Sequence, residues 1–138
     1  MPPLAVDRGR LEQALLNLVV NARDAMEGLE HRALSITASA CELRKHTSPQ
    51  HPRPASGRFV RIRVVDTGRG IPPEHQVRVF EPFFTTKAAG QGTGLGLPSV
   101  LSMAKHHGGW VELHSAPGRG ATFDVYLPTA IVPPAIVS

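Results

Sequence analysis

One helix limits what this chain can fold into more than any other segment. From Leu15 to Val20 every residue is apolar except Asn17, and Asn21 and Asp24 follow at one-turn intervals. At about 100° per residue these three polar groups project within about 60° of one another, a polar stripe on an otherwise apolar helix. Leu11, Leu15, Leu18, Ala22 and Met26 recur at helical spacing, with Asp7 as a good N-cap and Gly28 as a natural stop. The predicted helix therefore covers 7–27. Its stripe reads in two ways. The asparagines are bonded to backbone inside a core, or they face a partner, because buried amides and a carboxylate cost free energy unless paired. A hydrated Mg²⁺ holding phosphate oxygens suits such a stripe, since it takes few protein oxygens and keeps its waters.

The remaining pattern supplies a sheet. Leu34, Ile36 and Ala38 alternate with polar residues over 34–43, and Phe59, Val60, Ile62 and Val64 do so over 58–66. Between them Pro49, Pro52, Pro54 and Gly57 predict a polar loop. Pro72-Pro73-Glu74 opens a short helix to about Phe80. A helix over 97–107 stops at Gly108-Gly109, and strands at 110–115 and 121–127 flank an Ala116-Pro-Gly-Arg-Gly120 turn. Helices and strands mix without regular βαβ alternation. The expected class is α+β, a two-layer sandwich with helices on one face of a mixed, mostly antiparallel sheet. With 138 residues the chain forms one domain able to bury its own core, expected over 1–130, with 131–138 as a tail or linker.

Two further segments carry chemistry. Gly90-Gln91-Gly92-Thr93-Gly94-Leu95-Gly96 places glycine at every second position directly before a helix. Such a run is a flexible turn, or a phosphate cradle of bare N–H groups reinforced by a helix N-terminus. It matches neither the P-loop nor the G-x-G-x-x-G pattern. Val65-Asp66-Thr67-Gly68-Arg69-Gly70-Ile71 puts a carboxylate at the end of a strand of core residues. That is a tight turn, or an acceptor for an exocyclic adenine amine with glycines letting the base approach.

Composition narrows the field. No stretch reaches the 18 or so apolar residues of a membrane span, and the start does not read as a signal peptide. The single Cys41 forms no internal disulfide, which fits a reducing compartment and a cytoplasmic location. The net charge is +4, but five of the fifteen basic residues (Arg44, Lys45, Arg53, Arg58 and Arg61) gather in one stretch. That stretch reads as a solvated hairpin tip or, alternatively, as a basic surface. The seven histidines show no metal spacing, and His106-His107 close a helix where a cation suits the dipole.

Asn17-x-x-x-Asn21-Ala22, Asp66-Thr67-Gly68-Arg69-Gly70-Ile71, Phe80-Glu81-Pro82-Phe83-Phe84-Thr85-Thr86-Lys87 and Gly92-Thr93-Gly94-Leu95-Gly96-Leu97 follow one another in this order. Together they resemble the N, G1, F and G2 boxes of the sensor histidine kinase catalytic domain, in the ATPase superfamily of gyrase, Hsp90 and MutL. The wording around Asn21 and Phe-Phe-Thr-Thr-Lys is similar to the nitrogen-regulator and hybrid kinase type. The resemblance covers about Asp7 to Pro128 and implies the Bergerat ATP-binding fold.

Carried over box by box, it implies ATP and Mg²⁺ as ligands. Asn21 holds Mg²⁺, with Asn17 on the same face. Asp66 receives the adenine amine, and Gly68, Gly70 and Ile71 line the base pocket. Lys87 reaches the phosphates from a mobile lid over about 83–96, and the N–H groups of Gly94, Leu95 and Gly96 cradle them. Thr122 holds the adenine edge through water, while Asp24, Thr86, Gly92 and Thr93 complete the nucleotide site. Asn17 and Lys87 are the expected catalytic pair, and Phe80, Phe83 and Phe84 anchor the lid.

Two departures from the family pattern stand out. The edge strand preceding the first helix is shortened or absent, and no histidine sits in the phosphoacceptor context. The expectation is thus an excised, monomeric catalytic domain of a homodimeric kinase. Its partners are a dimerisation and histidine phosphoacceptor domain and a response regulator or receiver domain, and no nucleic acid is expected. A stand-alone ATPase or clamp of the gyrase or MutL kind, and a nucleotide-sensing module without transfer, are the alternatives. Hydrolysing relatives carry a water-activating carboxylate four residues before the metal asparagine. Here Asn17 occupies that place, an amide that takes no proton.

Overall fold

The computed structural model describes residues 5–84 and 96–129. Helix α1 spans Arg8–Ala25, and the Asp7 carboxylate caps it by accepting from the Arg10 N–H at 3.1 Å. Two long strands follow, β1 (Leu34–Ser48) and β2 (His51–Asp66), then the one-turn α2 (Pro73–Gln76) and α3 (Gly96–His106). Strands β3 (Trp110–Ser115) and β4 (Ala121–Pro128) close the fold. The sheet order is β1-β2-β4-β3, and every pairing among the described strands is antiparallel. The sandwich stands as expected, and its sheet among the described residues is antiparallel throughout.

Strand alternation divides the sheet into two faces. Val60, Ile62, Val64, Val111, Leu113, Phe123, Val125 and Leu127 point to one side, where Ala14 and Leu18 of α1 and Val100, Met103 and Ala104 of α3 cover them. Burying each such side chain stabilises the fold by about 1.5–3 kcal/mol. The helices are tied to each other at their ends. His107 accepts from the Asp7 N–H at 3.0 Å, so its other ring nitrogen carries the proton and donates to the Met103 carbonyl at 2.8 Å. Gly108, at φ +83°, ends α3.

Two elements differ from expectation. The short helix stops at Gln76 rather than near Phe80. Gln76 turns its side-chain amide back onto the carbonyls of Ile71 and Ser115, at 2.7 and 3.0 Å, and single turns follow. The segment expected as a polar loop is ladder. The hairpin continues to Ser48 and His51; the register shift between Leu43 and His46 absorbs one extra residue of β1 near Lys45, and the shift between His46 and Ser48 absorbs two extra residues of β2. The Lys45 N–H is satisfied by the Ser56 hydroxyl at 2.9 Å.

The reason lies on the second face of the sheet. His51 stacks on Trp110 at 4.2 Å and 7°, Tyr126 stacks on the same indole at 4.9 Å, and Phe59 meets its edge. His46 reaches the Glu112 carboxylate at 2.5 Å, which also accepts from the Trp110 indole N–H at 2.9 Å. Beside it Asp124 takes a bidentate pair from Arg63 at 2.8 and 3.0 Å, which holds the Arg63 guanidinium firmly charged. His46 and His51 of the tip close over Glu112 and Trp110, while Arg44, Lys45, Arg53 and Arg58 stay exposed, as the solvated hairpin tip was expected to be.

Candidate nucleotide site

Asp66 is the last residue of β2 and is 3% exposed. Its Oδ1 accepts from the Gly68 N–H at 2.8 Å and the Ala121 N–H at 3.2 Å. Burial pushes this carboxyl above its ordinary value, and the two N–H donors pull it part of the way back. The loop that follows turns directly onto the end of α1. A methyl group on Gly68 would lie 2.7 Å from the Ala25 carbonyl oxygen and 2.8 Å from Asp66 Oδ1. Only a glycine lets strand, loop and helix meet this closely.

Gly70 serves a different neighbour. It sits at φ +76°, and a methyl group there would fall 2.0 Å from the Ala116 carbonyl oxygen. It therefore seats the loop against the β3–β4 turn. The Ile71 N–H donates to the Ser115 hydroxyl at 2.8 Å, and that hydroxyl donates to the Gly120 carbonyl at 2.7 Å. Ile71 itself packs against the main core. Sequence reading passed over Ser115 and Gln76, two polar residues that stitch this loop. Their role depends on contacts 44 and 39 residues away in the chain, which no local pattern shows.

Thr122 does not join Asp66. The register sets Asp66 against Ala121 and Val65 against Thr122, so alternation turns Thr122 toward the face of Asp124 and Tyr126. The residue that meets the carboxylate is Ala121, through its backbone.

The stripe on α1 is arranged as its periodicity requires. Asn17 is half-buried; its Oδ1 accepts from Gln13 at 3.1 Å, and its amide donates to the Gly96 carbonyl at 3.4 Å. This bond ties α1 to the first residue of α3 beside a cleft of about 420 Å³ between the two helices. Asn21 and Asp24 continue the stripe, both half-buried, and Arg23 pairs with Asp24 at 3.4 Å. Amide and carboxylate oxygens are hard donors that suit Mg²⁺. Among the described residues no group of three or more His, Cys, Asp or Glu is placed to hold a metal by itself. Gly96 opens α3; Thr86, Lys87, Gly92, Thr93, Gly94 and Leu95 lie outside the described residues, as does most of the expected lid.

Of the expected anchors, Phe80 packs on Phe123 with ring centroids 6.2 Å apart. Phe84 lies beside His75 under the Arg78 guanidinium, 4.5 Å from its ring centre. Phe83 is 74% exposed at φ +67° and anchors nothing among the described residues.

A buried carboxylate at a strand end, a glycine loop seated on a helix and an asparagine stripe along that helix thus meet at one end of α1. Residues 6–131 match the family of histidine kinase-, DNA gyrase B- and HSP90-like ATPases, and the chain belongs to it. Its relatives are sensor kinases, and it is an ATP-binding catalytic domain of the sensor histidine kinase type. The chain is 43% identical over 133 residues to the sensor kinase CckA of Brucella abortus (94% of this chain, 13% of that protein). It is 39% identical over 131 residues to the sensor histidine kinase ZraS of Escherichia coli (95% and 24%). Among solved structures, full-length ShkA in complex with AMPPNP superposes with a TM-score of 0.68 at 32% identity, over 96% of this chain and 24% of that one. The catalytic domain of the histidine kinase ThkA gives 0.67, also at 32% identity, over 91% and 70%. The chain thus spans about a quarter or less of the length of these two curated relatives. No helix among the described residues is long and apolar enough to cross a membrane.

Proposed function

We propose that this chain binds Mg-ATP at the junction of α1 and the Asp66 loop and presents the γ-phosphate to a histidine on a separate dimerisation domain. The observation that carries the reading is the junction itself. One buried carboxylate, held on a single oxygen by Gly68 and Ala121, sits against the end of the helix that bears Asn17, Asn21 and Asp24. Asp66 Oδ2 is the acceptor for the adenine amine, and Gly68 lets the loop that carries it seat on the end of α1. Asn21 is the metal ligand, supported by Asp24. Thr86 and Lys87, together with the N–H groups of Gly92, Thr93, Gly94, Leu95 and Gly96, take the phosphates, as the family resemblance implies. Bound Mg²⁺ neutralises phosphate charge and orients the terminal group.

Asn17 supports transfer rather than hydrolysis. Its amide spans Gln13 and Gly96 and holds α3 to α1, and an amide takes no proton from water. The nucleophile is supplied from another domain, so the chemistry here is orientation and charge stabilisation. A response regulator or receiver domain accepts the phosphoryl group in turn. The full-length protein acts as a homodimer, with this domain in the cytoplasm where ATP is available.

Titration calorimetry tests the reading. The chain is expected to bind Mg-ATP with a dissociation constant between roughly 1 μM and 1 mM, the usual substrate range. Asn21→Ala should weaken binding mainly when Mg²⁺ is present. Binding unaffected by Asp66→Asn removes Asp66 from the adenine pocket.

A further inference from the structure

We infer that Arg69 is a positioning residue for this site, locking the end of α1 to the Asp66 loop so that the adenine acceptor and the metal-side helix move as one body. The inference rests on the Mg-ATP reading above. Arg69 lies three residues beyond Asp66, and its guanidinium reaches back to the last turn of α1. One terminal nitrogen donates to the Asp24 and Ala25 carbonyls at 3.3 and 3.1 Å, and the other donates to the Glu27 carbonyl. The Arg69 backbone N–H adds a bond to the Ala25 carbonyl at 3.1 Å, and its own carbonyl accepts from Gly118 at 2.6 Å.

The physical reason for this clamp is the end of the helix. The last carbonyls of α1 lack regular i+4 partners, the Asp24 carbonyl accepting only a 3.3 Å bond from the Glu27 N–H, and carry partial negative charge, so a cation with several donors satisfies both needs. A guanidinium presents its donors in a rigid fork, which a lysine ammonium on a flexible stem does not reproduce. Asp24 supplies both a clamped carbonyl and a side chain on the metal-side stripe, and Asn21 stands one turn earlier. A shift of this turn therefore moves the metal ligand relative to Asp66. With Gly68 already seated on Ala25, Arg69 decides the spacing between the adenine end and the phosphate end of the site.

Losing a cap that only stabilised the helix would lower the melting temperature and weaken every nucleotide alike. A positioning clamp acts on the Mg²⁺-dependent part of binding. The test titrates the 138-residue chain and its Arg69→Ala and Arg69→Lys variants with Mg-ATP and, separately, with ADP in EDTA. Arg69→Ala is expected to weaken Mg-ATP about tenfold, the low end for residues that orient metal ligands, while ADP in EDTA changes by less than about twofold. Arg69→Lys should recover part of the loss, and Arg119→Ala in the neighbouring turn should match the unmodified chain.

Equal losses for both ligands, or no loss for either, overturn the inference. If Arg69→Ala does not fold, Arg69→Lys decides: Mg-ATP affinity equal to the unmodified chain shows that the fork is not required. An unmodified chain that binds no Mg-ATP refutes the functional reading itself and this inference with it. An unmodified chain that binds, beside an Arg69→Ala that binds equally well, refutes only the clamp.

Discussion

Asp66 is buried at a cost in stability. Its folded-state pKa is raised by burial, so the favourable contribution of this group is present below the ordinary carboxylate pKa. That contribution is lost as pH rises through the raised folded value. At neutral pH the ionised side chain is a net burden that Asp66→Asn removes while keeping an oxygen for Gly68 and Ala121. Thermal melts should find this variant at least as stable as the unmodified chain at pH 7, with the advantage shrinking as the pH falls below the carboxylate range. Its Mg-ATP affinity should fall about tenfold or more, because an amide hydrogen then opposes the adenine amine. A variant less stable at pH 7 would contradict this account of the burial.

The glycines beside Asp66 make a second prediction at the same scale. Gly68→Ala forces overlap with Ala25 and Asp66, and Gly70→Ala adds a left-handed backbone angle to a harder overlap with Ala116. Urea denaturation should show a loss of about 1–3 kcal/mol for Gly68→Ala and a larger one for Gly70→Ala.

Among the elements, the long hairpin is the one whose behaviour the structure redefines. Its tip is held by stacking on Trp110 and by the His46–Glu112 contact. His46→Ala leaves Glu112, 2% exposed, short of a partner and should destabilise the fold by about 1–3 kcal/mol. Trp110→Ala removes the surface on which the tip rests and should cost about 3–5 kcal/mol. Hydrogen exchange over residues 43–55 should rise in both variants. This face of the sheet is opposite the helices, so Mg-ATP affinity in folded His46→Ala should stay unchanged. A loss of nucleotide binding there would mean that the two faces are coupled.

For the molecule as a whole, ligand binding to the native state alone raises stability by mass action. Mg-ATP at about a hundred times its dissociation constant should stabilise the chain by about 2.7 kcal/mol and raise its melting temperature by several degrees. Incubated alone with labelled ATP, the chain should form no stable phosphohistidine and hydrolyse slowly. Adding the dimerisation domain in trans should label that domain's histidine. Fast turnover by the chain alone would favour the stand-alone ATPase.

The order of elements and the side chains that make up the candidate site were legible in the sequence because both are local. The i, i+4, i+7 spacing of Asn17, Asn21 and Asp24 places them on one face of α1 whatever surrounds the helix. Asp66 is marked by a strand that ends in a carboxylate and two glycines. Pairing and register were not local. Whether Thr122 or Ala121 meets Asp66 depends on a one-residue choice of alignment between β2 and β4, and a one-residue step exchanges the two faces of a strand. The same limit hid the cover over Glu112 and Trp110. Trp110-Val-Glu-Leu-His alternates as a strand with one polar, solvated face would, and only tertiary packing brings His46 and His51 from a segment more than fifty residues earlier to close it. Periodicity along the chain selects which face a residue takes; what lies across from that face is decided by contacts between segments far apart in sequence.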